Sequence, residues 1–262
     1  MTHQVQGTAF ITGAASGIAA STAHNLSTHG ISNLALADID ESGLSKIAAE
    51  LTSTRPDLRV LVLPFDVSSE DSVTSAIRKT AHEFGRIDIG VNCAGVAQPV
   101  VPTHETSRET WNRVVGVNQT GVWLCQRELV RVMLGQEHLG PRLGRGVIVN
   151  VSSSLGVTAT DVESPLSCYV SSKHAIVGLT RTDGRHYAKD GIRINALCPG
   201  WVATPLIQPG IDAGNFVRDI EALPIGRVGQ VEEIADTILY MVSPMSSFMV
   251  GAALVVDGGY SL

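Results

Sequence analysis

The sequence predicts an α/β protein with a doubly wound parallel sheet of about seven strands and helices on both faces. Short apolar stretches alternate with amphipathic stretches along nearly the whole chain of 262 residues. The apolar stretches are continuous runs, as expected of parallel strands that are covered on both faces. No linker, internal repeat or low-complexity tract interrupts this alternation. We therefore expect one domain over residues 1–262.

Each apolar stretch has the length of a buried strand, and the amphipathic stretches have the length of crossover helices. The predicted strands are Thr8–Thr12, Asn33–Ala37, Val60–Pro64, Ile87–Val91, Gly146–Val151, Arg193–Ala196 and Ala253–Val256. One helix is predicted directly after the first strand, and the others are Gly43–Leu51, Glu70–Phe84, Trp111–Leu134, Ser167–Lys189 and Val231–Val242. Repeated strand–helix–strand units of this kind build a single sheet through right-handed crossovers.

Composition and charge argue against several classes of function. The formal net charge is −6 and no run of Lys or Arg occurs, which disfavours binding to nucleic acid or to an anionic membrane. No apolar segment reaches the ~20 residues of a membrane span, and the amino terminus has no charged and apolar leader. The histidines and cysteines show no metal-binding spacing. We expect a cytoplasmic protein without a metal ion.

A glycine turn at Gly13–Ala19 follows the first predicted strand directly. A tight turn between a strand and a helix directs backbone N–H groups and the positive helix end to one point, which suits a pyrophosphate. The spacing is Gly-x-x-x-Gly-x-Ala, so the Gly-x-Gly-x-x-Gly fingerprint fits poorly. The nucleotide contacts expected here are Gly13, Ser16, Gly17 and Ile18.

Asp38 ends the second predicted strand. A carboxylate at this position can hydrogen-bond the ribose hydroxyls of an adenosine and would repel a 2′-phosphate. Ser16 stands in the turn where an Arg or Lys could neutralise that phosphate, so the sequence favours NAD over NADP. Asp38 can also serve as the N-cap of the helix that begins near Glu41, and the two roles can coexist.

Small and polar residues follow the third and fourth predicted strands, where open α/β sheets bind ligands. Asp66 can contact an adenine amino group, and small side chains permit the backbone to approach a cofactor closely. The expected cofactor residues in these two places are Asp66, Val67, Asn92, Ala94 and Gly95. Asp and Gly also end strands in proteins that bind nothing there.

Tyr169 and Lys173 stand four residues apart in a predicted helix and therefore share one of its faces. A free tyrosine titrates near pH ~10, and a nearby cation favours the phenolate and lowers this pKa. The pair thus suits a general acid/base that acts on a hydroxyl or carbonyl group. The same spacing also arises by chance on solvated helices.

These features belong to one ordered set of motifs along the chain. The set comprises Thr12-Gly13-x-x-x-Gly17-x-Ala19, Asp66-Val67, Asn92-x-Ala94-Gly95, Asn118, Val149-Asn-Val-Ser-Ser153, Tyr169-x-x-x-Lys173, Pro199-Gly200, Gly226-Arg-Val-Gly229, Glu232-Glu-Ile-Ala235 and Val256-Asp-Gly-Gly259. It resembles the short-chain dehydrogenase/reductase family from about residue 7 to the end. Three departures are Ala19 for a commoner glycine, Cys93 for a frequent asparagine, and a longer interval between Ser153 and Tyr169.

The resemblance implies roles for the catalytic residues. Tyr169 would be the acid/base, and Lys173 would lower its pKa and bind the nicotinamide ribose. Ser153 would hydrogen-bond the substrate oxygen, because the family serine stands three residues before a glycine, here Gly156. Asn118 would hold a helix irregularity and a water that relays protons to Lys173. The residues around the nicotinamide and phosphates would be Pro199, Gly200, Val202 and Thr204.

The resemblance also implies hydride transfer between NAD and a secondary alcohol or ketone, by a homotetramer. We expect oxidation, because cellular NAD pools favour it. The alternatives are an NAD(P)H-dependent ketoreductase and a cofactor-binding scaffold without redox chemistry. The tetramer contacts would use the long helices after the fourth and fifth strands and the last strand.

An apolar substrate pocket is expected from Val96–Val101, Leu155–Leu166, Trp201 and Leu206–Ile220. The wall residues would be Val100, Val101, Leu155, Val157, Trp201, Leu206, Ile207 and Phe216. Because this wall has no Arg or Lys to bind a carboxylate or phosphate, we expect a lipophilic alcohol such as a terpenoid, steroid-like or polyketide alcohol. The segment 204–229, with a short amphipathic piece at Phe216–Leu223, suits a mobile lid or an ordinary packed loop.

Overall fold

Seven parallel strands form one sheet in the order β3-β2-β1-β4-β5-β6-β7 in the computed structural model, which describes residues 4–262. The strands are β1 Thr8–Thr12, β2 Asn33–Asp38, β3 Arg59–Pro64, β4 Ile89–Asn92, β5 Gly146–Val151, β6 Ile192–Pro199 and β7 Ala253–Val256. The predicted Rossmann-like, doubly wound sheet is confirmed. Winding reverses between the neighbours β1 and β4, so a crevice opens at their carboxyl ends.

Helices cover both faces of the sheet. They are α1 Gly17–Thr28, α2 Glu41–Thr54, α3 Glu70–Phe84, α4 Arg108–Val115, α5 Val122–Leu134, α6 Ser167–Tyr187, α7 Gln208–Asp212, α8 Val217–Glu221 and α9 Val231–Val242. Buried side chains of α1, α2 and α9 pack on one face, and those of α3 and α5 pack on the other. Neighbouring residues of β5 serve both layers: Val149 faces the first and Ile148 the second.

The predicted helical stretch Trp111–Leu134 contains the irregularity that was expected at Asn118. A π-helical turn, Gly116–Gly121, separates α4 from α5. The side chain of Asn118 in this turn hydrogen-bonds the backbone of Val96, which lies outside the helix. A π-helical turn inserts one residue into a helix and is common at functional sites.

Two strand boundaries differ from the prediction by more than one residue. β4 begins at Ile89 because the N–H of Ile87 donates to Oε1 of Gln136 at 2.7 Å instead of to a neighbouring strand. β6 continues to Pro199, beyond the predicted end at Ala196, because its last four residues pair with β7. The longer β6 carries the chain to the carboxyl edge of the sheet.

Candidate active site

A cleft of about 340 Å³ opens at the carboxyl ends of the central strands. The predicted cofactor residues that line it are Gly13, Ser16, Gly17, Ile18, Asp38, Asp66, Val67, Ala94, Gly95, Tyr169, Lys173, Pro199, Gly200, Val202 and Thr204. Asn92 does not line it, and a cofactor contact at this residue stays a prediction. Asn92 is buried in the sheet, where its Nδ2 donates to Oδ1 of Asn150 at 2.8 Å and joins β4 to β5.

The glycine turn is held closely against the end of β4. Oγ1 of Thr12 accepts hydrogen bonds from the N–H groups of Cys93 at 3.0 Å and Ala94 at 3.1 Å. Gly13 has φ +74°, and a Cβ on it would lie 3.0 Å from the nitrogen of Ala94. Only glycine therefore suits this position.

The first turn of α1 faces the cleft with its backbone N–H groups. The helix begins at Gly17, and the side chain of the N-cap residue Ser16 makes no capping hydrogen bond. The four first N–H groups of a helix have no partner within the helix, and the helix dipole makes them attractive to anions. A Cβ on Gly17 would lie 3.6 Å from Cγ2 of Thr204. This cradle fits the phosphates of a dinucleotide.

Backbone hydrogen bonds hold the carboxylate of Asp38 beside the cradle. It accepts from the N–H groups of Ala15 and Asp40, each at 3.1 Å. The N-cap of α2 is Asp40, whose carboxylate accepts from the N–H of Gly43 at 3.0 Å. Capping by Asp38, the alternative role, is therefore wrong. Among the described residues that line the cleft, Lys173 has the only cationic side chain.

Tyr169 and Lys173 lie on the buried face of α6. Nζ of Lys173 lies 5.4 Å from the centre of the Tyr169 ring and donates to the carbonyl oxygen of Val151 at 3.0 Å. Burial lowers the pKa of Lys173 to about 8. Burial also raises the pKa of Tyr169 to about 12, and a hydrogen bond to Ser153 opposes this rise. The expected lowering of the tyrosine pKa is wrong for the chain alone, because loss of solvation outweighs every favourable neighbour.

Three consecutive serines after β5 have different surroundings. Ser152 lines the cofactor cleft, and its Oγ donates to the carbonyl oxygen of Lys173 at 2.9 Å. Ser154 lines a second cavity, and Ser153 lines both. A Cβ on Gly156 would lie 2.8 Å from the same Lys173 carbonyl oxygen, so this turn packs directly on α6. Ser153 is thus the serine at the junction of the two spaces.

Asn118 lies outside the cleft lining and holds the loop that follows β4. Its Oδ1 accepts from the N–H of Val96 at 2.8 Å, and its Nδ2 donates to the carbonyl oxygen of Val96 at 2.9 Å. A Cβ on Gly95 would lie 3.4 Å from Oδ1 of Asn118 and 3.8 Å from Nζ of Lys173. The three residues therefore meet at one point. A water relay through Asn118 stays a prediction.

The second cavity, of about 390 Å³, adjoins the cleft at Ser153 and Tyr169. Six of the predicted wall residues line it: Val100, Leu155, Trp201, Leu206, Ile207 and Phe216. Val101 and Val157 do not line it, and Val157 lies at the surface, so their assignment to the wall is wrong. The described lining contains no charged side chain.

The segment 204–229 forms a loop whose two ends are joined. The N–H of Ala203 donates to the carbonyl oxygen of Gly229 at 2.9 Å, and the N–H of Gly229 donates to that of Trp201 at 2.8 Å. Two short helices, α7 and α8, occupy it where one amphipathic piece was predicted. Between them Gly214 and Phe216 have positive φ, which ends the first helix and turns the chain. The Phe216 ring lies 4.7 Å from that of Trp201.

Buried polar contacts attach α8 to two other segments. The carboxylate of Asp219 accepts from the hydroxyl of Tyr260 at 3.0 Å and from Oγ of Ser164 at 3.4 Å. Beside it, Arg218 forms an ion pair with Glu163. The segment 204–229 is therefore linked to the long loop after Ser153 and to the carboxyl-terminal turn.

Several residues that the sequence did not assign to the cofactor also line the cleft. They are Ala19, Ile39, Phe65, Cys93, Val96, Val117, Val151, Ser152, Pro205, Leu206 and Ile207. Most of them are sequence neighbours of predicted cofactor residues, and this adjacency is the sequence feature that could have identified them. Burial raises the pKa of Cys93 to about 11, so its thiol stays protonated. Gln98, which lines the second cavity, lies within the predicted pocket segment Val96–Val101, but its side chain was given no role.

Residues 4–262 contain neither a membrane-spanning helix nor a cluster of metal ligands. No helix in this range has the length and apolar character needed to span a membrane. No three His, Cys, Asp or Glu side chains of the same range come together as ligands of a metal ion.

Comparisons with known proteins agree on one family. A family model described as enoyl-(acyl carrier protein) reductase matches residues 13–261. The short-chain dehydrogenase fogB of Aspergillus ruber is 35% identical in an alignment of length 272 that covers 98% of this chain and 98% of that protein. The cis-4-hydroxycyclohexanecarboxylate dehydrogenase of Sinomonas cyclohexanicum is 39% identical, over 97% of this chain and 96% of that protein. The crystal structure of levodione reductase superposes with a TM-score of 0.89 at 31% identity, over 100% and 98% of the chains.

Proposed function

The chain belongs to the short-chain dehydrogenase/reductase family and is an oxidoreductase, and we propose that it uses NAD to oxidise a cyclic, lipophilic secondary alcohol. The observation that carries the proposal is the position of Ser153 and Tyr169. Both line the cleft that fits a dinucleotide and also the apolar cavity beside it. A carbinol placed in the cavity therefore meets the two hydroxyls where a nicotinamide would lie.

The proposed chemistry assigns one task to each side chain. The oxygen of Tyr169 takes the proton of the substrate hydroxyl, and Ser153 hydrogen-bonds the substrate oxygen as its charge changes. The carbinol C–H bond breaks with its electron pair leaving the carbon, which becomes the ketone carbon. Bound NAD would supply the hydride acceptor at nicotinamide C4 and a positive ring charge. Lys173 holds a positive charge beside the phenol, and Asn118 positions the loop next to Lys173.

The preference for NAD rests on Asp38. Its carboxylate is fixed by two backbone N–H groups next to the phosphate cradle. A ribose with two free hydroxyls can donate to it, whereas a 2′-phosphate would face its negative charge. Among the described residues that line the cleft, Lys173 is the only Arg or Lys, and it lies beside Tyr169. No other cation of this lining therefore offsets the negative charge of Asp38.

The substrate class rests on the second cavity and on the relatives. Aromatic and aliphatic side chains such as Trp201, Phe216 and Leu155 make most of its wall. Two of the similar proteins are named for a hydroxycyclohexanecarboxylate and for levodione. A ring with one secondary hydroxyl suits this wall better than a phosphorylated sugar, which would require cations.

We further propose that 204–229 acts as a lid over the cavity. Leu206, Ile207 and Phe216 of this segment line the cavity, and Asp219 anchors its second helix. Two short exposed helices joined by glycine can move as a unit between the fixed ends at Trp201 and Gly229. Lid opening would admit the substrate, and closure would exclude water from Tyr169.

A homotetramer is the proposed assembly. Trp111, Trp123 and Leu134 on α4 and α5 expose 43%, 43% and 42% of their surfaces. Large apolar side chains grouped on one pair of helices are typical of protein contacts. Sedimentation of the purified protein would give the mass of four chains; a monomer would contradict this assembly.

A panel assay tests the proposed function. The purified chain would be incubated with NAD or NADP and with cyclohexanols, open-chain polyols and sugar phosphates, and formation of reduced cofactor would be followed. We expect turnover with NAD and cyclohexanols. Turnover only as ketone reduction with NADPH would identify a ketoreductase, and cofactor binding without turnover in either direction would identify a scaffold.

A further inference from the structure

We propose that Gln98 recognises a second oxygen of the substrate, on the part of the ring remote from the reacting carbinol. The inference rests on the proposed function, which places the reacting hydroxyl between Ser153 and Tyr169. It narrows the substrate to rings with two oxygenated positions, such as diols or hydroxyketones.

The orientation of the Gln98 amide is fixed by the start of α6. Oε1 of Gln98 accepts from the backbone N–H of Tyr169 at 2.8 Å. Because a backbone N–H can only donate, the atom that faces it is the oxygen and the other is the NH₂ group. Gln98 is only 7% exposed, so this orientation is held inside the protein.

The amide nitrogen of Gln98 retains an unused donor. Nε2 carries two N–H groups, and one of them donates to the carbonyl oxygen of Pro99 at 3.3 Å. Gln98 lines the second cavity, and that cavity is mainly apolar. A buried donor without an acceptor is costly, whereas a ligand oxygen at this place would satisfy it. The site is therefore built for an acceptor on the ligand.

The position of Gln98 sets where the second oxygen lies. Its amide contacts the backbone of Tyr169, while the reacting oxygen meets the hydroxyl at the other end of the same side chain. The two oxygens are thus expected at separate places on the ring. Besides Ser153, Tyr169 and Gln98, the side chains of the described lining that can form hydrogen bonds are Ser154, Trp201 and Asn215. Gln98 accepts a hydrogen bond from the backbone N–H of Tyr169, the proposed acid/base residue.

The variant Gln98→Glu separates recognition from helix capping. Glutamate keeps an oxygen that accepts from the Tyr169 N–H, and it replaces the NH₂ donor by a second acceptor that repels a ketone oxygen, which can only accept. The measured quantity is the ratio of kcat/KM for 4-hydroxycyclohexanone to kcat/KM for cyclohexanol with NAD. We expect this ratio to fall roughly tenfold or more, whatever loss the two alcohols share.

The matched control is Gln136→Glu. Gln136 is also buried, and its Oε1 accepts from the N–H of Ile87, but it does not line the cavity. Its substitution should leave the ratio unchanged. An unchanged ratio in Gln98→Glu would overturn the assignment of Gln98 while the proposed function stands. If wild-type protein oxidised neither alcohol but oxidised a polyol or sugar, the proposed function itself would be overturned.

Discussion

Nζ of Lys173 lies 5.4 Å from the centre of the Tyr169 ring; the lysine is buried and the tyrosine is half-buried on the same face of α6. Burial gives the two groups opposite pKa shifts, to about 8 for the ammonium and about 12 for the phenol. At neutral pH the chain alone therefore holds a protonated lysine beside a protonated tyrosine. Deprotonation of Tyr169 during oxidation then depends on further positive charge, which an oxidised nicotinamide would bring.

The buried ammonium makes the stability of the folded chain depend on pH. An unfolded lysine titrates near ~10.4, so the unfolded chain binds more protons than the folded chain between about pH 8 and ~10.4. The contribution of Lys173 to the free energy of unfolding is lowest below pH 8 and recovers as the pH rises through this window. Lys173→Met should therefore be more stable than wild type at pH 7, by on the order of 3 kcal/mol.

Denaturant unfolding at several pH values checks this prediction, and the advantage of Lys173→Met should vanish near pH ~10.4. The control is Lys189→Met at an exposed lysine, which should show no such trend. Taking differences between variant and wild type removes the contributions of the cysteines. A Lys173→Met advantage that grows with pH would contradict the assignment.

Substitution of Asp38 should change the choice of cofactor. Asp38→Ala removes the carboxylate that is held between Ala15 and Asp40. We expect the ratio of kcat/KM with NAD to kcat/KM with NADP to fall by roughly tenfold, because repulsion of the 2′-phosphate is lost. Asp66→Asn, at another carboxylate of the cleft, should affect both cofactors alike. An unchanged ratio in Asp38→Ala would remove the basis for NAD preference.

The turn at Gly156 is predicted to tolerate no side chain. A Cβ there would contact Oγ of Ser152 and lie 2.8 Å from the carbonyl oxygen of Lys173. Gly156→Ala should therefore displace Ser153 from α6, lower kcat and cost about 1–3 kcal/mol of stability. Gly178 lies in α6, and a Cβ there would meet no neighbouring atom within 4 Å. Gly178→Ala should therefore stabilise the folded chain by about 0.5–1 kcal/mol. Thermal unfolding and steady-state rates of the two variants would reveal the contrast, and equal behaviour would refute it.

Tyr260 is predicted to act on substrate binding through the lid. Its hydroxyl donates to buried Asp219, and Tyr260→Phe leaves that carboxylate with the longer bond to Ser164. We expect KM for the alcohol to rise several-fold with little change in kcat, because loss of the hydrogen bond from Tyr260 weakens the attachment of α8 by about 1–3 kcal/mol. Tyr240→Phe, at an exposed tyrosine of α9, is the control. A lower kcat at unchanged KM would place Tyr260 in the chemistry instead.

The sheet, and the gathering of the predicted cofactor residues at one cleft, could be predicted because they follow from local pattern. Apolar runs define the strands, and residues directly after parallel strands gather at one edge whatever the details of packing. Asp38 and Gly13 are found by this rule alone. Asn92 is absent from the cleft lining because it is the last residue inside β4, where its side chain joins β5.

Contacts between remote segments could not be read from the sequence. The family resemblance implied a helix irregularity at Asn118, but it gave neither the bond of Asn118 to Val96 nor the contact of Gln98 with the start of α6, 71 residues later in the chain. Neither contact produces a periodic pattern in the sequence. The pKa of Tyr169 also required the fold, since proximity to Lys173 suggested a decrease and only the extent of burial shows the increase.

The most direct test of the account is the turnover and cofactor binding of Tyr169→Phe. This change removes one oxygen from the junction of the cleft and the cavity and keeps the ring beside Lys173. We predict that oxidation of cyclohexanols with NAD falls by roughly 10²- to 10⁴-fold, while the Kd for NAD, measured by calorimetry, stays near the wild-type value. Wild-type turnover in Tyr169→Phe would contradict the central claim that Tyr169 transfers the proton.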